Sequence, residues 1–189
     1  MDKYKIVFWS RQTGSGTTFN MHAAAVVLAS KYKYQMICRQ SGIIILSNDE
    51  RMVTITDCGA GMGIHARKQL EGADLIVVNF RQIPHTLDFL FTGYTGISKK
   101  IVYFISSYQK DSHYNKNYIY NYYRIAPEQL GVIPYNPEFQ MACSRGRAAE
   151  YVKGKDSLSA TDRRADFFAE LERAAHVLLR NLRKTTSVK

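Results

Sequence analysis

The stretch Lys5–Ala29, KIVFWSRQTGSGTTFNMHAAAVVLA, decides the reading of the chain. Ile6, Val7, Phe8 and Trp9 form an unbroken apolar run, as expected of a strand covered on both faces. Gly14 and Gly16 fall in the loop that follows, which ends in the hydroxyls of Thr17 and Thr18. Met21 to Ala29 is apolar and alanine-rich, a composition that favours helix. Strand, glycine loop and helix in that order aim several backbone N–H groups, and the positive end of a helix, at one point in space. That is an anion cradle. A glycine pair also suits a tight turn that binds nothing; the adjoining hydroxyl pair favours phosphate.

Outward from this stretch, apolar runs alternate with helical segments. Gln35–Cys38 is a short apolar piece, followed by a polar, turn-like 39–42. Ile43–Leu46 and Met52–Asp57 flank a turn at Asn48 and Asp49 and read as a hairpin or as two neighbouring strands. Cys58–Gly63 carries three glycines, and Ile64–Glu71 is a short helix closed by Gly72. Strands are expected over Asp74–Phe80, Lys100–Ile105 and Gly131–Pro134, with helices at Thr86–Phe91, Pro137–Ala142 and Arg147–Tyr151. Six tyrosines crowd Tyr108–Tyr123, which reads as a helix lying on the sheet with half-buried phenol rings. Residues 154–160 read as a flexible connection. The last helix, about 162–182, has one broad apolar face suited to docking on a sheet, and the tail 183–189 is expected to fray.

Nearly all-apolar strands alternating with helices predict an α/β fold in three layers, a mostly parallel sheet with helices on both faces. At 189 residues the chain suits one such domain spanning 1–189. Ligands in such sheets sit beyond the carboxyl ends of the strands. Gln12–Thr18, Asp57–Gly61 and Pro134–Asn136 all fall there. The formal net charge is +10, and residues 96–189 carry 16 Lys and Arg against 9 Asp and Glu. Such a basic half suits nucleic acid or an anionic membrane surface, and equally suits solubility alone. No apolar run reaches transmembrane length. Cys38, Cys58 and Cys143 match no metal or disulfide spacing, which points to a reducing cytoplasm. None of the five histidines reads as a ligand.

The motifs resemble those of the ParA/MinD group of deviant-Walker P-loop ATPases, in the signal-recognition and MinD-related (SIMIBI) class. The family's first motif, K-G-G-x-G-K-T-T, is matched by Gln12-Thr13-Gly14-Ser15-Gly16-Thr17-Thr18-Phe19, with Arg11 just before it. Its second, D-x-P-A-G after a strand, is matched by Asp57-Cys58-Gly59-Ala60-Gly61. The strand start A-D is Ala73-Asp74, and the late I-P before the base-contacting loop is Ile133-Pro134, followed by Asn136. The resemblance implies ATP or ADP bound with Mg²⁺. Residues 11–18, Gly61, Pro134 and Asn136 would hold the nucleotide, and Thr18 and Asp57 the metal. It also implies a homodimer acting with a pilus, division or partition apparatus, cytoplasmic or peripheral to the nucleoid or the inner membrane face.

The departures bear on activity. The family's signature lysine falls on Gln12 and its usual P-loop lysine on Thr17. Arg39-Gln40-Ser41 stands where the family keeps the aspartate that positions the attacking water. Removing one electrostatic donor commonly costs about 10²–10³ in rate. The pattern therefore predicts a degenerate member with weak or absent hydrolysis, similar to TadZ/CpaE pilus-localisation proteins but without a receiver-like domain before the core. Two other readings stay open. One is an active ATPase in which Arg11 replaces the lysines. The other is a flavodoxin-like FMN protein, whose Thr- and Ser-rich phosphate loop also lacks lysine.

Overall fold

A computed structural model describes residues 2–39, 42–92, 100–154 and 163–183. Gln40 and Ser41, most of the expected 154–160 connection and the tail past residue 183 lie outside these. Seven strands form one sheet: β1 (Asp2–Ser10), β2 (Gln35–Arg39), β3 (Ile43–Ser47), β4 (Arg51–Ala60), β5 (Leu75–Phe80), β6 (Ile101–Tyr108) and β7 (Leu130–Pro134). Their spatial order is β2-β3-β4-β1-β5-β6-β7. Strands β4, β1, β5, β6 and β7 run parallel, whereas β3 is antiparallel to both β2 and β4. The hairpin reading of Ile43–Asp57 thus matches the structure, with Asn48 Oδ1 accepting from the Glu50 and Arg51 amides in the turn.

The helices are α1 (Thr17–Lys31), α2 (Ile64–Glu71), α3 (Pro84–Thr92), α4 (Lys116–Tyr123), α5 (Pro137–Ser144), α6 (Ala148–Lys153) and α7 (Arg163–Arg183). Strand alternation sends side chains into two cores. Ile6, Phe8, Val77 and Phe104 face α1, α5, α6 and α7, while Val7, Trp9, Val78 and Ile105 face α2, α3 and α4. Leu171, Ala174, Ala175 and Leu178 of α7 are fully buried, so its apolar face docks on the sheet as its periodicity implies. The tyrosine-rich stretch differs from expectation. Tyr108 ends β6, and the helix begins only at Lys116, where the Asn115 side chain caps it by accepting from the Tyr118 amide at 3.1 Å. Asn115 favours this late start because its short amide satisfies an otherwise orphaned N–H. Tyr114, Tyr118, Tyr122 and Tyr123 then pack ring against ring with His113.

Helix α7 lies so close to β7 that residue 131 must be glycine. A Cβ there would stand 2.7 Å from Phe104 Cε1 and 3.1 Å from Ala174 Cβ. Gly131→Ala is expected to cost about 1–3 kcal/mol through overpacking, read as a lowered urea midpoint with an unchanged slope.

Candidate functional site

The site lies where the sheet order reverses. From β1 the chain goes by α1 towards the β2–β3–β4 side, then returns by α2 to β5 on the other flank of β1. The carboxyl end of β1 is therefore bordered by β4 and β5, the crevice where open α/β sheets take ligands. Phe8 pairs with Asp57, and the register slips before Ser10 pairs with Ala60. This irregularity lets both chains turn outward together. Gly61 ties them: its amide donates to the Ser10 carbonyl at 3.0 Å, and its own carbonyl accepts from Trp9 Nε1 at 2.5 Å.

Residues 11–16 form the loop. The Ser10 and Ser15 hydroxyls both donate to the Gln12 carbonyl, at 2.9 and 2.8 Å, and draw the loop into a tight ring. Gly14 and Gly16 are left-handed, with φ of 74° and 75°. Gly16 is the N-cap of α1 and supplies no side-chain cap, so the first-turn N–H groups keep their free valence towards the loop. These N–H groups and the helix dipole make the cradle that the sequence implies.

Thr18, one residue into α1, donates to Asp57 Oδ2 at 2.5 Å. The other oxygen of Asp57 accepts from the Gly59 amide at 2.8 Å, which fixes the carboxylate at the cradle's head. His22, one turn further along α1, is held below the ordinary histidine range by burial, against the opposing pull of Asp57. Two oxygen donors side by side, one anionic, suit a hard divalent cation such as Mg²⁺. The positions of the two family lysines serve other ends. Gln12 Oε1 accepts from Thr86 of α3 at 3.0 Å, and Thr17 is buried. No charged side chain stands at either place, and Arg11 is the one cation of the loop.

Beneath it runs a buried polar chain that the sequence reading missed. Asn79 of β5 donates to the carbonyls of Trp9 and Val77, both at 3.0 Å, leaving its oxygen to accept. Asn20 of α1 must therefore present its NH₂ group, which reaches Asn79 Oδ1 at 2.9 Å and Ser106 Oγ at 2.7 Å. Ser106 of β6 passes its own proton to the Ser15 carbonyl. Ser107 beside it is left-handed, at φ 51°, where the pairing of β6 with β7 slips a register. The directions of all these bonds follow from Asn79 alone. Asn20 Oδ1 is left as a buried acceptor without a partner beside Gly16. The available signal was polar: an asparagine inside LIVVNF, a serine ending the apolar run of β6, and an asparagine entering an alanine-rich helix.

Pro134 and Asn136 lie at the same sheet edge but apart from the loop. With Tyr108, Lys116, Phe167 and Arg173 they line a cavity of about 1060 Å³ that no residue of 11–18 borders. The Asn136 amide is engaged locally. Its oxygen caps α5 by accepting from the Phe139 amide at 2.9 Å, and its nitrogen donates to Tyr151 at 3.3 Å.

No protein-family model and no curated protein sequence matches the chain. Solved structures do. The chain is similar to the cell division ATPase MinD of Pyrococcus furiosus at 13% identity and a TM-score of 0.65, covering 94% of this chain and 98% of that one. The septum site-determining protein MinD of Pyrococcus horikoshii, complexed with Mg-ADP, matches at 11% identity and 0.60, covering 92% and 94%. A plasmid partition protein of Borrelia burgdorferi bound to AMPPNP matches at 10% and 0.53, covering 94% and 99%. The chain thus has the ParA/MinD-like P-loop fold.

The two loop glycines separate under substitution. A Cβ on Gly16 would stand 2.8 Å from Ser106 Cβ, whereas one on Gly14 meets nothing within 4 Å. Gly16→Ala is expected to cost at least about 2 kcal/mol, from left-handed strain plus the clash, and Gly14→Ala about 1 kcal/mol from strain alone. Chemical denaturation of both variants measures the difference.

Proposed function

We propose that the chain binds a magnesium nucleotide, ATP or ADP, in the 11–18 loop, and that it works as a positioning or scaffolding protein with little or no hydrolysis. The observation that carries this is the Thr18–Asp57 contact at the head of a glycine loop. An aspartate placed there repels a bare phosphate and calls for a cation between them. This favours a metal-bound polyphosphate over the phosphate of a flavin. When bound, Mg²⁺ would neutralise phosphate charge; the chain's part is to hold it with Thr18 and Asp57, to cradle the phosphates with loop N–H groups, and to hold Gly61 close by.

The missing lysines support the non-hydrolytic half of the reading. A lysine supplies a point charge against the charge that grows during phosphoryl transfer, and neutral glutamine and threonine do not. Gln12 is bonded to Thr86 of its own chain, at the position from which the family's signature lysine reaches across to a partner subunit. The apolar rim supports a dimer. Ile64 is 93% exposed, Met62 38% and Ile83 36%, on the segments that follow β4 and β5 beside the cradle. A face of that kind favours cover by a second copy. Among the described residues no helix is long and apolar enough to cross a membrane. A pilus, division or partition apparatus remains the class of partner the reading favours.

Asp57→Ala is expected to weaken Mg·ATP binding by roughly tenfold to a hundredfold, the worth of bonds to a charged group. Titration calorimetry with Mg·ATP measures it, and no heat from the unaltered protein at millimolar nucleotide would overturn the ligand assignment. Phosphate release is expected to stay at background in the unaltered protein. Release that Arg11→Ala abolishes would instead establish the active-ATPase reading.

A further inference from the structure

The sheet is not covered evenly. Beneath β1, β5, β6 and β7, helices α2, α3 and α4 bury Val7, Trp9, Phe80 and Ile105. Among the described residues the β2–β3–β4 wing is packed by α1 on one face, through Ile44, Leu46, Val53 and Ile55, and α2 reaches its other face at Cys58 of β4, whose thiol lies 3.8 Å from the Ala66 carbonyl. On its other face the register aligns Ile37, Ile45 and Thr54 in one row and Ser47 and Met52 in the next. Ile37 is 50% exposed, and Ile45 and Met52 are only half-buried. They belong to neither core cluster.

We propose that this face docks one amphipathic helix of a partner protein, apolar along the contact and acidic at its flanks. Size is the first argument. Three strands from β2 to β4 span about 10 Å, close to the 10–12 Å diameter of a helix with its side chains. The two rows are completed on β1 by Lys3 and Lys5, and Arg39 stands at the opposite corner on β2. Lys3 and Arg39 are the exposed strand cations of this face, Lys5 Nζ being held by Gln69 of α2 at 2.7 Å, and its strand residues include no carboxylate, since Asp57 of β4 points the other way, to Thr18. A second copy seated face to face here would set Lys3 and Arg39 against the same cations of its own face. A lipid surface is a poorer occupant, because the isoleucines lie flat among threonines and offer nothing to insert. The inference is independent of nucleotide binding.

The test uses two labelled peptides of about 14 residues, long enough for some four helical turns. Both carry leucine along one face, flanked by glutamate in one and by lysine in the other. Fluorescence anisotropy at low salt is expected to show saturable binding of the glutamate-flanked peptide alone. Ile45→Glu should weaken it about tenfold. The double variant Lys3→Glu, Arg39→Glu changes exposed positions that leave folding intact, and it should reverse the preference towards the lysine-flanked peptide. No binding, equal binding of both peptides, or indifference to both variants would overturn the proposal. So would sedimentation of the unaltered protein as a dimer that Ile45→Glu dissociates, or binding to phosphatidylglycerol vesicles that the double variant abolishes in place of peptide binding.

Discussion

The bond from the Ser106 hydroxyl to the Ser15 carbonyl, with Asn20 and Asn79 behind it, is the constraint on which the cradle rests. The loop has no lysine, and its one charged side chain, Arg11, stands at its start. Here the shape is imposed from below, by a chain of hydrogen bonds whose directions are all set once Asn79 donates to the carbonyls of β1 and β5. Such a network is strong because it is dry, and every broken member would leave a buried group unpaired. It also joins β1, β5, β6 and α1 to the loop at a single point.

The order of the strands accounts for the arrangement of the carboxyl edge. Asp57 and Thr18 meet because β1 and β4 are neighbours in register and α1 starts directly over them. Gly61 and Trp9 lock the second loop against the first. Further along the edge, β6 and β7 open the cavity lined by Pro134 and Asn136, which shares the edge with the cradle but none of its walls. The edge thus carries one row of loops, with the glycine loop over β1 and, further along, Lys116 and Arg173 paired with Glu170.

The asymmetry of the sheet follows from the connections. Parallel strands need a crossover, and each crossover brings a helix that covers a face. The antiparallel β2–β3–β4 meander needs only turns, so it brings no helix, and among the described residues its lower face is left half bare. Ile44 and Leu46 take the α1 face, so strand alternation and register place the isoleucines at 37, 43 and 45 together on the open side.

The sequence by itself determined the alternation of apolar strands with helices, the glycine loop after β1, the carboxylate at the end of β4 and the absence of lysine at residues 12 and 17, because these are local patterns of period and residue type. It misplaced the start of the tyrosine-rich helix, since a single asparagine cap outweighed the helical reading of the residues before it. Only the tertiary structure decided that Asn20, Asn79 and Ser106 belong to the site. They are 59 and 27 positions apart along the chain and meet through the order of strands in the sheet, which no local pattern records.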